Sequence, residues 1–261
     1  MSRTRLGLSV IAISLLPWQP ASGAITPEQT ASLTQIRQQT ETADFRATGR
    51  LVRVSANGER TNYKLSMKGH WFPDGLRLLY DVTGPGAART RLLFHMTASG
   101  ATTVQLVQPG TSTPAALGAE HWRDSVLSSG FSYEDLIEGQ LFWKSQDFLA
   151  PAKYGVRDCF VLKSTPSAED HSQYASVTSW IDRQIFYPVH VTKTERGSGE
   201  QKDFTYFGLR QTSGVWSASQ VEVKMQGKPG SSLLVIERGS PKAKLTRKDF
   251  DLSQPSAQGE Q

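Results

Sequence analysis

Apolar and polar residues alternate with a period of two over several segments in the first half of the chain. Successive side chains of a β-strand point to opposite faces of its sheet, so these segments predict strands with one apolar and one polar face. Asn57-Gly58, Pro73-Asp74-Gly75 and Gly84-Pro85-Gly86 lie at the ends of the segments, where hairpin turns are expected. The alternating apolar residues are Tyr63, Leu65 and Met67, then Leu76, Leu78, Tyr80 and Val82, and then Leu92, Phe94 and Met96.

Strand patterns return in the second half of the chain, after an interruption from about residue 113 to residue 154. Their spacing of roughly ten residues favours an antiparallel sheet that closes on itself over a series of βαβ units. Within the interruption, Ser132 and the acidic residues after it predict a short helix with Ser132 as its N-cap. The later predicted strands are 156–164, 172–182, 186–195, 202–210, 215–225 and 232–237.

Residues 1–24 have the pattern of a secretory signal peptide. Arg3 and Arg5 precede an apolar run from Leu6 to Trp18, and small residues lead up to Ala24. The run is shorter than the ~20 residues that cross a bilayer, which makes a membrane anchor the weaker interpretation. No cysteine follows the run, so we expect an exported protein without a lipid anchor, cleaved next to Ala24. A buried N-terminal helix is the competing interpretation.

The exported part is expected to form one domain over residues 25–250, followed by a flexible polar tail over residues 251–261. Thr26, Pro27 and Gln29 predict the start of a helix that continues to about residue 44. The apolar face of this helix is narrow, so we expect the helix to lie on the surface rather than in the core.

The chain lacks the sequence features of the common enzyme sites. Its five histidines are dispersed singly, and its one cysteine, Cys159, is flanked by strand-forming residues that favour burial. There is no nucleophile elbow, phosphate loop or dinucleotide fingerprint. The 29 basic and 24 acidic residues are scattered, without a nucleic-acid-binding motif. The sequence therefore predicts no catalytic residue, metal, cofactor or nucleic-acid partner, although a triad assembled from distant residues stays open.

Large aromatic residues are concentrated in several of the strand segments. They either fill the core or line a ligand cavity, because a curved sheet with surplus apolar side chains can hold a ligand in its mouth. These aromatic residues are Trp71, Phe72, Phe142, Trp143, Phe186, Tyr187, Phe204, Tyr206, Phe207 and Trp216. For such a cavity, we expect one face of the early strands to form the lining, although a one-residue slip would exchange the two faces. The expected lining residues are Leu76, Leu78, Tyr80, Leu92, Phe94 and Met96.

An ordered series of motifs begins with Phe-Ser-Tyr-Glu-Asp-Leu at residues 131–136. It continues with Gly-Val-Arg-Asp-Cys-Phe-Val-Leu at 155–162, then Tyr174 before Trp180-Ile181-Asp182, and Tyr187-Pro188. The series resembles the outer membrane lipoprotein-sorting protein family, relatives of the periplasmic carrier LolA, in its "F-S-Y-E-D-L" branch. The resemblance covers most of the exported chain and is best from about Phe131 to Phe250.

The resemblance implies a mainly β (α+β) fold, in which a single curved antiparallel sheet forms a half-barrel wrapped over a few short helices, as in LolA and LolB. An apolar cavity is expected between sheet and helices. The signature residues are implied to be structural, anchoring the segment between the two groups of strands. They are Phe131, Ser132, Tyr133, Glu134, Asp135, Leu136, Trp180 and Asp182.

The resemblance also implies a function. It points to a periplasmic, non-enzymatic carrier of the acyl chains of lipids or lipoproteins, sorting or transporting them towards the outer membrane. An inner-membrane transporter and an outer-membrane acceptor are the partners implied. Two alternatives stay open, namely an envelope-stress sensor or adaptor of the same fold that detects acyl chains, and an envelope lipid hydrolase.

Overall fold

The computed structural model describes residues 25–87 and 89–253. The predicted signal peptide and the last eight residues of the predicted tail, 254–261, lie outside this part of the chain. The described residues form one α-helix, α1 (Pro27–Glu41), and fifteen strands. The strands are β1 (Asp44–Val54), β2 (Arg60–Phe72), β3 (Gly75–Thr83), β4 (Arg89–Met96), β5 (Thr102–Val107), β6 (Ala115–Ala116), β7 (Ser145–Tyr154), β8 (Arg157–Thr165), β9 (Tyr174–Asp182), β10 (Pro188–Glu195), β11 (Gln201–Phe207), β12 (Arg210–Thr212), β13 (Val215–Ser217), β14 (Gln220–Met225) and β15 (Ser231–Pro241).

Thirteen of these strands form one open antiparallel sheet, in the order β6-β5-β4-β3-β2-β1-β15-β14-β11-β10-β9-β8-β7. The first and last strands of the described residues, β1 and β15, pair with each other in the middle of the sheet. β12 and β13 form a separate two-stranded hairpin between β11 and β14. The predicted half-barrel of antiparallel strands is confirmed.

The period-two alternation gives the correct faces of the early strands. Leu78 lies opposite Phe94, and Tyr80 lies opposite Leu92, so these side chains point to one side of the sheet. They belong to the main core, on the concave side. The predicted strand 215–225 is instead two strands, β13 and β14, which belong to different sheets.

Helix α1 begins as predicted but does not lie merely on the surface. The side chains of Thr26 and Gln29 each accept a hydrogen bond from the other residue's backbone amide, at 3.2 and 2.9 Å, which completes a capping box. Leu33 and Ile36 are buried in the main core, and Arg37 Nε donates to the Leu141 carbonyl at 2.7 Å. The narrow apolar face therefore packs onto the core, and exposed residues such as Glu28 and Gln38 lie on the solvent side of the helix.

The segment between β6 and β7 contains short 3-10 helices. The predicted short helix after Ser132 is present as a single 3-10 turn, but the prediction of Ser132 as its N-cap is wrong. The turn nearest the signature spans only Glu134–Leu136. The Ser132 side chain does not cap it; the backbone amide of Ser132 donates to Asp135 Oδ2 at 2.8 Å instead. The acidic side chains of the turn are bonded to residues that are distant in the chain, just before and within β9 and within β10 and β11, so tertiary contacts fix its shape. The other turns of the segment are Ala119–His121, Val126–Ser128 and Gly139–Phe142.

The end of the described chain packs against the convex side of the sheet. A second apolar cluster forms there, in which Phe250 and Leu252 meet Phe72 and Leu79. Arg91 Nη1 donates to the Leu252 carbonyl at 2.5 Å. Leu252, which the sequence assigns to the flexible tail, is only 4% exposed. The packed domain therefore extends at least to this residue.

Gly75 begins β3 in a backbone conformation with φ of +123°, and a Cβ added there would lie 2.1 Å from the Met96 carbonyl oxygen. We expect Gly75→Ala to lower the free energy of unfolding by about 2–4 kcal/mol, because backbone strain and the clash add together. Gly58→Ala is the matched control, since its φ is +86° and no atom lies within 4 Å of the added Cβ. Urea unfolding should show a loss of about 1–2 kcal/mol for the control. Equal losses for the two variants would contradict this account.

Candidate functional site

A cavity of about 430 Å³ lies on the concave side of the half-barrel. Its walls come from the central strands of the sheet, the end of α1, the signature segment and the β12–β13 hairpin. This volume is within the range of small-molecule binding sites. The apolar wall residues are Ala43, Phe45, Ala47, Met67, Leu76, Leu78, Tyr80, Phe131, Leu136, Tyr187, Phe204, Tyr206, Val215, Trp216, Ala218, Val221, Leu234, Ile236 and Pro241.

The structure separates the six residues that the sequence assigns to a cavity into two groups. Leu76, Leu78 and Tyr80 of β3 line the cavity. The other three, from β4, are in the packed core with exposed fractions of 0%, away from the cavity lining. Their side chains point to the same side of the sheet, but the core covers that side at β4. The β4 residues are Leu92, Phe94 and Met96.

Two of the signature residues and several of the aromatic residues also line this cavity. Phe131 and Leu136 contribute from the signature segment. Among the aromatic residues that the sequence singles out, Tyr187, Phe204, Tyr206 and Trp216 are in the wall. Five of the other six aromatic residues pack in the core clusters, and Phe207 is exposed. Some of the aromatic residues thus fill the core, while others line the cavity.

The cavity opens to solvent between the end of α1, the end of β15 and the β12–β13 hairpin. Thr42, Arg210, Thr212, Ser240 and Lys242 line this opening and are exposed. The opening is thus polar while the wall behind it is largely apolar. An amphiphilic ligand could enter here with its hydrocarbon part inside the cavity.

A buried charged cluster supports the signature segment from the sheet. Asp135 Oδ1 and Oδ2 lie 3.0 and 3.3 Å from the ammonium groups of Lys193 and Lys202. The Tyr174 hydroxyl and the backbone amide of Ser132 also donate to the Asp135 carboxylate. Burial alone would raise the pKa of Asp135, but the two ammonium charges and these hydrogen bonds outweigh burial and hold the pKa well below its usual range.

The neighbouring signature residues are bonded to the segment just before β9. The Glu134 carboxylate accepts hydrogen bonds from the hydroxyl of Ser172 and, at 2.9 Å, from the backbone amide of Gln173. Burial raises the pKa of Glu134, and these hydrogen bonds only partly offset that effect. Ser132 Oγ accepts from Gln173 Nε2 at 2.7 Å, while the Tyr133 side chain is half-buried. The signature turn is thereby attached to the segment that leads into β9.

The remaining two signature residues lie at the end of β9. Asp182 Oδ1 accepts from the backbone amides of Gln184 and Ile185, and Asp182 Oδ2 accepts from Arg157 Nη1. These bonds hold the turn between β9 and β10. The Trp180 ring lies 5.1 Å from the His190 ring, away from the cavity.

Glu138 is a polar residue of the cavity wall that sequence reasoning missed. The Tyr206 hydroxyl donates to Glu138 Oε1 at 2.8 Å, and the Tyr187 and Tyr206 rings meet edge to face at 6.1 Å. Burial raises the pKa of Glu138, although the Tyr206 hydrogen bond and the charge of Lys193 oppose this effect. A single acid two residues beyond the signature carries no spacing signal, so the sequence could not have identified it.

No group of three or more histidine, cysteine, aspartate or glutamate side chains within residues 25–87 and 89–253 is arranged to hold a metal ion. Cys159 is fully buried, and burial raises the pKa of its thiol. None of the helices in the same residues is long and apolar enough to span a membrane.

Comparison with known proteins places the chain in a family. A family model described as "uncharacterized protein" matches residues 79–254, which is more than half of the chain. The chain belongs to this family. The search of curated proteins gives no match.

Three solved structures have a fold similar to that of this chain. A domain from Vibrio parahaemolyticus, assigned as an outer membrane lipoprotein-sorting protein, is 22% identical and has a TM-score of 0.77, with 86% of this chain and 97% of that chain covered. A DUF1329 family protein from Desulfovibrio piger is 13% identical with a TM-score of 0.73, over 85% of this chain and 96% of the other. A LolA superfamily protein from Nitrosomonas europaea is 14% identical with a TM-score of 0.66, over the same 85% and 96%. The predicted resemblance to lipoprotein-sorting proteins is confirmed for the fold.

Proposed function

We propose that the protein is a periplasmic, non-enzymatic carrier that binds the acyl chains of lipids or lipoproteins and conveys them towards the outer membrane. The observation that carries this proposal is the cavity of about 430 Å³, with its largely apolar wall and polar opening, on the concave side of the half-barrel. An inner-membrane transporter and an outer-membrane acceptor are the partners that a soluble intermediate carrier would require. The proposal includes removal of residues 1–24 on export.

The size and chemistry of the cavity suit part of an acyl chain. Each methylene group transferred from water into an apolar site contributes about 0.8 kcal/mol. Ten methylene groups would thus contribute about 8 kcal/mol, which the cost of immobilising the ligand reduces. The remaining free energy supports reversible binding, and a carrier has to release its cargo.

Filling the cavity is expected to abolish binding of apolar ligands while the fold is kept. Leu234 of β15 lines the cavity and is only half-buried, so the indole of Leu234→Trp has room to extend into it. Val235 is the next residue of the same strand and is not in the cavity lining, which makes Val235→Trp the matched control. We expect Leu234→Trp to weaken binding of the neutral apolar dye phenylnaphthylamine at least tenfold, and Val235→Trp to bind the dye like wild type.

Mass spectrometry can identify the ligand that the purified protein carries. Protein purified from its own envelope and extracted with organic solvent should release acyl-chain lipids, and the Leu234→Trp variant should release much less. The proposal would be contradicted by wild-type protein that carries no lipid and does not bind the dye. Equal dye binding by all three proteins would place the apolar site elsewhere.

A further inference from the structure

We infer that the Glu138 carboxylate is a binding site for the head group of the ligand, and that the head group is a hydrogen-bond donor such as a hydroxyl or an amide. This inference rests on the proposed carrier function, because it concerns the same cavity. It goes further by naming the chemical class of ligand, namely a neutral amphiphile whose polar group enters the cavity with the chain.

Glu138 presents one oxygen to the cavity without a protein partner. Oε1 accepts the hydrogen bond from the Tyr206 hydroxyl, whereas no group in the described part of the chain donates to Oε2. The side chain is in the wall of the cavity, beside the apolar residues Leu136 and Tyr187. Oε2 is not fully buried, so water can reach it, and a ligand that displaces this water without offering a donor would lose affinity. A hydroxyl or amide on the ligand would be that donor.

The nearest cation does not fill this role. Lys193 lines the same cavity, but its ammonium group is bonded to Asp135 Oδ1 at 3.0 Å. It also lies 4.7 Å from the centre of the Phe204 ring and 5.1 Å from that of Tyr174. These contacts hold it towards the signature turn.

The charge of the Glu138 carboxylate itself disfavours an anionic head group at Oε2. A ligand carboxylate or phosphate at this position would meet the Glu138 carboxylate directly and would bring no donor to Oε2. Like charges in a site of low dielectric constant repel strongly. The ammonium groups of Lys193 and Lys202 are bound to Asp135. Two further cations of the lining, Arg210 and Lys242, are exposed at the opening, so an anion would bind there rather than at Glu138. A neutral hydroxyl can pair with the carboxyl group in either protonation state, because it both donates and accepts.

The test compares dodecanol with its methyl ether, which lacks the donor and is more apolar. In a purely apolar cavity the ether would bind more tightly, so preference for the alcohol reports a polar partner. We expect wild-type protein to bind dodecanol about tenfold more tightly than the ether, measured by displacement of phenylnaphthylamine. The preference should disappear in Glu138→Leu made in a Tyr206→Phe background, where no tyrosine hydroxyl loses its acceptor. The Tyr206→Phe variant alone is the control and should keep the preference.

The outcomes separate this inference from the carrier proposal. If wild-type protein fails to bind the dye, the carrier proposal itself is contradicted. Dodecanoate, which has an anionic head group, is measured in the same way. If the dye binds but the ether or dodecanoate binds more tightly than dodecanol, only the head-group inference is overturned. The wild-type comparison stands even if the double variant does not fold. A folded double variant that keeps the preference would also overturn the assignment to Glu138.

Discussion

Replacing Asp135 with asparagine is expected to lower the free energy of unfolding by about 3–5 kcal/mol, because it leaves two buried ammonium groups without their counter-charge. Lys193 and Lys202 have side chains exposed by only 6% and 9%, and the Asp135 side chain is fully buried. Among the described residues, Lys202 then keeps an ion pair with Glu195 alone, at 3.8 Å. Urea unfolding monitored by tryptophan fluorescence measures the loss.

Two further variants show whether the charge cluster is the cause. Asp158 forms an ion pair with Lys153 at 3.7 Å in which both side chains are about 70% exposed, so Asp158→Asn should change stability by less than about 0.5 kcal/mol. Lys193→Met in the Asp135→Asn background should recover part of the loss, because one unpaired charge is removed. Additive effects of the Asp135 and Lys193 substitutions would contradict the direct pairing.

The cluster also gives stability a dependence on pH. The pKa of Asp135 in the folded protein lies below its ordinary value of about 4, so its contribution is fully present above that value. The contribution is lost as the pH falls from there through the lowered pKa of the folded state. The stability of wild-type protein should therefore approach that of Asp135→Asn in acid, and the gap should be widest near neutral pH.

The sequence predicts the sheet better than it predicts the site. Strands β2, β3 and β4 have one buried and one polar face, and this arrangement leaves an alternation that can be read directly. β7 was missed because most of its residues are exposed on both faces, at the edge of the sheet. Its one buried residue, Gln146, is polar and is bonded to Gln140 and Ser164. Such a strand has no alternation to detect.

The cavity depends on contacts between residues that are distant in the chain. The concave face of the sheet follows from alternation, but the place where the core ends and the cavity begins does not. Leu78 and Phe94 are cross-strand neighbours on the same face, yet only Leu78 lines the cavity. The difference arises from packing on the concave side, which no strand pattern records. Glu138 and Lys193 also reach the cavity through packing between distant segments, so the sequence pattern did not identify them as wall residues.

This difference between neighbours predicts opposite outcomes for the same substitution. Phe94→Glu is expected to leave no folded population, because it removes a fully buried aromatic ring and places an unpaired charge in the core. The first effect costs about 3–5 kcal/mol and the second several more, which together approach the whole stability of a typical domain. Circular dichroism and thermal unfolding are the measurements. A folded Phe94→Glu protein would show that the cavity reaches β4.

Leu78→Glu should give a folded protein that no longer binds phenylnaphthylamine. Its new carboxylate can point into the cavity, which opens to solvent, so the charge keeps part of its hydration and the fold survives with reduced stability. The same charge in the wall makes the cavity unfavourable for hydrocarbon. Leu78→Met conserves the volume and apolar character of the side chain and should bind the dye like wild type. If Leu78→Glu unfolds as completely as Phe94→Glu, the concave side of β3 is closed core; if it folds and binds the dye fully, Leu78 does not contact the ligand.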